Sequence, residues 1–279
     1  MCSIVGVRRC GARWSWPSFR IARKGRQPCS LSGLKIPSDS QVRPPHWGFA
    51  VTEWKTAEQV HQDYLAAMGQ ELGELFYALD NEVTWLHLQW RQFRVLYGDK
   101  ESRIDLLNEA APHFFRVVQD VLFDDTLLSI ARLTGSVESV GRPNLSIRRL
   151  PRLVEPDRRG PLEQLVESAI EAAAFANDWR NRRLAHRDLA LAIDAPATPL
   201  APASRQGVEN ALRALRSVLN YVHEVFRNSI TAYEHSHVIG DAEELLYVIR
   251  DGLRHRKDQL ERFSRHELLP EDLKAPEAV

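Results

Sequence analysis

Apolar residues recur at every third or fourth position through Val60, Tyr64, Met68, Leu72, Leu75, Leu79, Val83, Leu86, Trp90, Phe93 and Tyr97. That spacing marks one face of an α-helix. It predicts a single long amphipathic helix, ended by Gly98. A short helical piece is expected over 102–109. Pro112 is tolerated in a first helical turn, so a second long helix is read from there through Phe115, Val118, Val121, Leu122, Leu128 and Ala131 to Gly135. Residues 136–160 break the pattern with Gly141, Pro143, Pro151, Pro156 and Gly160 and read as a loop. A third helix is predicted to begin at Pro161 and to follow Leu162, Leu165, Val166, Ala169, Ala173 and Ala176, whose alanines would let a neighbouring helix approach closely. After the proline loop of Pro196, Pro199 and Pro202, Ser204 is a good N-cap. It would open a fourth helix through Val208, Leu212, Leu215, Leu219, Val222 and Phe226. A last helix is expected from about 241 to 263, with a frayed tail over 266–279. No alternating run carries an Asn-Gly or Asp-Gly turn, so no strand is read. The expectation is all-α: a four-helix bundle with an appended C-terminal helix.

Charge divides the chain. The 279 residues sum to zero, but residues 1–50 hold nine Lys/Arg and one acid, Asp39. The remainder, 51–279, holds 28 basic and 36 acidic residues, a net of −8. The first fifty residues, rich in Arg, Ser, Pro and Gly, read as a disordered basic arm. They also imitate a transit peptide, or are translated sequence upstream of the true start. The abrupt change at Val51 favours the last reading. The helical domain is then 51–265. Cys2, Cys10 and Cys29 all lie in the arm and match no zinc spacing, so neither a disulfide framework nor a thiolate metal site is expected. No apolar run approaches the roughly 18 residues of a membrane helix, which points to a soluble, cytoplasmic protein with no membrane partner. A phosphate-cradling glycine loop, a Gly-x-Ser-x-Gly elbow and a His-Glu-x-x-His pair are all missing, which argues against NTPase, serine hydrolase and zincin chemistry.

The chemistry concentrates in Asp178-Trp179-Arg180-Asn181-Arg182-Arg183-Leu184-Ala185-His186-Arg187-Asp188. A histidine exchanges a proton near neutral pH, and arginines hold phosphate oxygens in a fixed fork. On a straight helix Arg180 and His186, six apart, sit about 120° from each other, whereas Arg182 and Arg183 face His186 at four and three residues. Either the helix is interrupted near Asn181, or the working arginine is Arg182 or Arg183. Without further support, a histidine among arginines on a helix is a solvated polar face.

Arg180-Asn181 followed by His186 resembles the Arg-x4–6-His motif of HEPN domains. The similarity extends to Glu71-Leu72-Gly73-Glu74-Leu75, Trp85-Leu86-His87, Pro112-His113-Phe114-Phe115-Arg116-Val117-Val118-Gln119-Asp120, Ile130-Ala131-Arg132-Leu133-Thr134 and Asp178-Trp179-Arg180-Asn181, which look like the AbiU branch of that superfamily, named for phage abortive infection. It covers roughly residues 55–255. The resemblance implies a HEPN-like four-helix bundle, a homodimer that joins two motifs in one cleft, and a ribonuclease toxin that needs no metal or cofactor. It implies RNA as substrate and an antitoxin protein as a further partner. His186 would be the general acid/base, Arg180 the phosphate ligand, and Asn181 would shape the site. Arg182 and Arg183 are further substrate-binding candidates. One departure stands out: an acid commonly follows the Ile-Ala-Arg-Leu-Thr stretch, and here the residue is Gly135. The rival reading is a catalytically silent helical module that binds RNA, a nucleotide or an antitoxin.

Other residues carry weaker signals. Asp125, four after Val121 and three before Leu128, has the phase to enter the cleft and orient an arginine. Trp85, Trp90 and Trp179 read as core anchors, and His87, His113 and His223 as ordinary core or surface histidines. His235-Ser236-His237 hints at metal but supplies only two ligands. The arginines of 142–159 would either guide RNA or pair with acidic helices.

Overall fold

The structure, a computed structural model, describes residues 55–98, 100–185, 188–192, 198–235 and 240–273. The expectations for the N-terminal arm, its three cysteines, a start at Val51, and His237 lie outside these residues. From Thr56 onward the described residues belong to one unit. No helix among them is long and apolar enough to cross a membrane.

The first predicted helix is two. α1 (Ala57–Met68) and α2 (Gln70–Tyr97) are separated by Gly69, whose φ of 77° and ψ of 173° suit glycine and strain any other residue. The chain reverses there. Tyr64 and Asp80 would stand about 24 Å apart on one straight helix. Instead the Tyr64 hydroxyl donates to Asp80 Oδ2 at 2.8 Å, and the rings of His61 and Tyr77 stack 4.6 Å apart. A Cβ at Gly73 would lie 2.9 Å from the Tyr64 carbonyl oxygen, so glycine also sets how closely the two helices meet. Periodicity concealed the reversal because Met68 and Leu72 flank it at helical spacing. Thr56 and Gln59 form a capping box at the start of α1.

α3 (Glu101–Ala110) and α4 (Pro112–Thr134) appear as expected, with proline opening α4. Residues 136–160 are more ordered than a loop. β1 (Glu138–Ser139) and β2 (Arg142–Pro143) form a minimal antiparallel hairpin around Val140-Gly141, both at positive φ. Valine at a position that favours asparagine or glycine hid the turn from the sequence pattern. A 3₁₀ segment, Ile147–Arg152, buries Ile147, Leu150 and Pro151. Most arginines here serve backbone carbonyls: Arg148 Nε donates to Thr134 O at 2.9 Å, Arg149 Nε to Asn144 O at 2.8 Å and Arg159 Nε to Pro151 O at 3.0 Å. Arg148 ties the segment to the end of α4, Arg149 braces it from within and Arg159 ties it to α5, instead of pairing with acidic helices.

α5 (Pro156–Ala172) starts five residues before the predicted Pro161, which lies inside it. The polar turn Asp157-Arg158-Arg159-Gly160 gave no apolar signal of the true start. α6 (Ala174–Trp179) continues after a break at Ala173, and a π turn, Arg180–Leu184, follows. α7 (Leu189–Ala192) is a single turn. α8 (Arg205–Arg227) is capped by Ser204, whose hydroxyl accepts from Gly207 N at 3.0 Å. A 3₁₀ turn, Tyr233–His235, precedes α9 (Ala242–Arg265), which Asp241 caps. The tail is not frayed throughout: Arg262 holds Asp272 in a bidentate pair at 2.8 and 2.6 Å, folding 269–272 back on α9.

α2, α4, the α5–α6 helix and α8 make the bundle, and α1 lies against α2 and α8. Phe76, Leu79, Leu127, Ile130, Leu162, Leu212 and Leu215 are fully buried at its centre. Ala169, Ala173 and Ala176 are fully buried too, and α5 packs closely on α8. A second apolar cluster of Leu96, Leu107, Phe115, Ala242 and Leu246 attaches α3 and α9 at one end. Trp90 is in the core, but Trp85 is 62% exposed and is not a core anchor. The stripe spacing around Trp85 is that of its buried neighbours Leu86 and Val83, which adjoin it on the helix but face inward.

Buried and half-buried polar groups tie these helices together. Asp80 accepts hydrogen bonds from Tyr64 on α1, from His223 Nε2 on α8 at 3.1 Å, and from the Tyr233 hydroxyl beyond α8. Burial works to raise its pKa, but the bonds from His223, Tyr233 and Tyr64 outweigh it and hold the carboxyl below its ordinary value. His87, buried and stacked on Tyr233, is pushed down to about 4, chiefly by burial and then by the charge of Arg216.

Gly69→Ala should lose roughly 1–3 kcal/mol in urea unfolding, all of it from backbone strain, because no atom lies within 4 Å of the added Cβ. His87 stays neutral in the folded chain while the unfolded chain takes up its proton below about 6.5, so its contribution is lost as pH falls from about 6.5 to about 4. That contribution is about 3 kcal/mol. The urea midpoint should drop across that window, and the drop should be clearly shallower in His87→Gln.

Candidate functional site

The helix that carries the motif is irregular by construction. At Ala173 (φ −91°, ψ 0°) it breaks, and the amides of Ala176 and Asn177 both donate to the Ala173 carbonyl, at 3.0 and 3.2 Å. At Arg180 it widens. Ala185 N donates five residues back to Arg180 O at 2.8 Å, and Asp188 N six back to Arg182 O at 2.9 Å. A π turn accommodates an extra residue in a helix and is frequent at functional positions. The straight-helix projection that separated Arg180 from His186 therefore fails at Arg180, where α-helical hydrogen bonding ends. His186 and Arg187 lie outside the described residues.

The residues of the turn divide by what they touch. Asp178, Trp179 and Arg182 hold the segment leading into α8. Asp178 Oδ2 accepts from Ala201 N at 2.8 Å, and Trp179 Nε1 donates to Ala201 O at 2.7 Å, so one residue's backbone is gripped from both sides. Arg182 donates to the carbonyls of Thr198 and Pro199 and lies 3.5 Å from both Asp178 and Asp188. The Trp179 ring meets Phe123 edge-on at 6.2 Å, in the aromatic group that includes Trp90 and Phe93. Trp179 is thus half-buried, joining core to loop.

Arg180, Asn181 and Arg183 are not spent this way. Arg180 Nη1 donates to Asn181 Oδ1 at 3.1 Å, and among the described residues it has no carboxylate partner. Asn181 is exposed. Arg183 lies over the Trp179 ring, 5.0 Å from its centroid. Its charge reaches Asp124 on α4, where burial and the nearby Asp120 raise the carboxyl's pKa and Arg183 opposes them. Asp125 is placed differently: Oδ2 accepts from the buried Gln89 amide at 2.9 Å, across the α2–α4 contact. Asp124 is the acid the sequence reading passed over. Its signal was present, because it falls three after Val121 on the line of Phe114, Val117 and Val121, all more than half exposed. Gly135 has a steric reason for replacing an acid. A Cβ there would come 2.9 Å from the Ala131 carbonyl oxygen.

The remaining histidines show no ligand geometry. His87 and His223 are buried in the Tyr233–Asp80 group, and His113 and His235 are exposed. Among the described residues no three His, Cys, Asp or Glu side chains converge as metal ligands.

What the site offers is a guanidinium and an amide without structural duties, on a widened turn, beside a second arginine stacked on tryptophan. No curated protein and no solved structure matches the chain. The HEPN_AbiU2 family model, described as AbiU2, matches residues 69–245, which takes in α2 through the start of α9 and the whole of the motif turn. With that match across most of an all-α fold, the chain belongs to the AbiU2 family of HEPN domains.

Proposed function

We propose that this protein is an endoribonuclease of a phage-defence or toxin–antitoxin type system, acting on RNA in the cytoplasm. The observation that carries the reading is the division of labour in the motif turn. Arg182 is consumed by the 198–201 segment, while Arg180 keeps its guanidinium for a ligand. This supports Arg180 as the phosphate ligand. In the reaction the ribose 2′-hydroxyl attacks the adjacent 3′-phosphorus and gives its proton to a base. The P–O5′ bond breaks, the 5′-oxygen takes up a proton, and a 2′,3′-cyclic phosphate remains. His186 moves the protons, Arg180 stabilises the charge gathering on the phosphoryl oxygens, Asn181 fixes the Arg180 fork, and Arg183 borders the site. An attacking 2′-hydroxyl confines the reaction to RNA. An antitoxin protein that covers the turn would restrain it.

An exposed apolar line on α4 supports a homodimer. Phe114, Val117 and Val121 are 61%, 51% and 59% exposed and form a line along α4 that runs to Asp124 beside Arg183. Packing two such faces would bring two motif turns toward one another and remove the apolar stripe from water.

Purified protein should cleave RNA in excess EDTA, leaving cyclic phosphate ends. Positioned proton transfer accounts for roughly 10²–10⁴ in rate, so His186→Ala should be silenced by about that factor and Arg180→Ala similarly. Arg182→Ala should show its main effect as lost stability. Equal cleavage by all the variants would refute the assignment, and no cleavage by the parent would favour a silent module that binds RNA, a nucleotide or an antitoxin. Sedimentation should show a dimer that Val117→Asp converts to a folded monomer with little activity. A dimer unaffected by that change would place the interface elsewhere.

A further inference from the structure

α9 presents a face that the motif turn does not explain. Ala242 and Leu246 are buried in one cluster with Leu96, Leu107 and Phe115, so these two residues face the protein. Along a different side run Tyr247, Arg250, Arg254 and Lys257, spaced three, four and three apart, and all exposed. Residues 250–265 carry six Lys/Arg against three acids, in a body that is otherwise acidic. Arg250 pairs with Asp251 at 2.9 Å and lies 4.9 Å over the Tyr247 ring. Arg254 and Lys257 have no ion pair among the described residues.

We propose that this side of α9 is a docking stripe for single-stranded RNA. Three cations at successive turns follow a phosphate backbone, and the half-exposed Tyr247 ring, already held by Arg250, offers a stacking platform for a base. An anionic membrane fits less well, because the exposed apolar side chains of α9 fall in two separate pairs, Leu245 with Val248 and Leu260 with Phe263, rather than in one continuous face. The choice of RNA over other polyanions rests on the ribonuclease reading. The stripe adds where the strand is held away from the motif turn.

The test is fluorescence anisotropy of the full chain with a fluorescent 2′-O-methyl oligonucleotide, which binds as RNA does but cannot be cut by 2′-hydroxyl attack. Arg250→Glu/Arg254→Glu/Lys257→Glu should weaken binding at least tenfold and flatten the log–log salt dependence by about 2, since each phosphate contact on a single strand contributes about 0.7. Tyr247→Ala should weaken binding several-fold without changing that slope. A control with the same charge change, Lys55→Glu/Lys100→Glu/Arg213→Glu, also at exposed positions, should bind nearly as the parent does. Equal loss in the control, or an unchanged slope in the α9 variant, overturns the proposal. So does a triple variant that loses binding to phosphatidylserine vesicles but keeps its affinity for the oligonucleotide. A protein that binds through α9 yet cleaves no RNA would defeat the ribonuclease reading and leave the stripe standing.

Discussion

The Asp80 carboxylate is the joint on which the bundle turns. It stands on α2 and receives Tyr64 from α1, His223 from α8 and Tyr233 from the turn after α8. Three separately encoded segments thus converge on two oxygens. A half-buried carboxylate left unpaired there would be unfavourable; with three donors it is satisfied and specific. The arrangement depends on the reversal at Gly69, because without it Tyr64 could not return to the level of Asp80. Asn220 completes the joint by exchanging two hydrogen bonds with the Thr231 backbone, at 2.8 and 3.1 Å, which fixes where Tyr233 begins its turn.

The motif region obeys a second constraint, which is how to carry exposed arginines on a helix end without letting that end unravel. The solution is alternation. Asp178, Trp179 and Arg182 reach toward 198–201, and Arg180, Asn181 and Arg183 do not. The grip on Ala201 also sets the entry to α8, three residues before its Ser204 cap. Loop fastening and ligand presentation are thereby shared among neighbours in one short stretch, so a change at one arginine has a different meaning from the same change at the next.

Much of this was legible in advance, and the failures have causes. Helix period revealed α4, α8 and α9 because their caps and apolar stripes agree: Pro112, Ser204 and Asp241 each sit where a helix opens. It missed the reversal at Gly69 because a turn of one residue preserves the spacing on either side. It placed the start of α5 at the wrong proline because the first turn is entirely polar. Trp85 was read as core from its company, although side-chain direction, not neighbourhood, decides burial on a helix. At the site, the sequence displayed the right residues but could not apportion them. Which arginine is spent on a carbonyl depends on where the 198–201 segment runs, and no local pattern holds that information. Asp124 and Asp125 differ by one position, and only the packing of Gln89 beneath α4 separates their partners.

Counting residues rather than contacts gives the π turn a further meaning. Its hydrogen bond from Ala185 to Arg180 encloses one residue more than an α-helical turn would. The extra residue falls beside Arg182, whose bonds to Thr198 and Pro199 fix where the turn meets the segment before α8. Arg180–Leu184 is therefore the stretch of this chain where length itself is information. Loss of a single residue there would exchange the arginine that fastens the segment before α8 with the one left for a ligand.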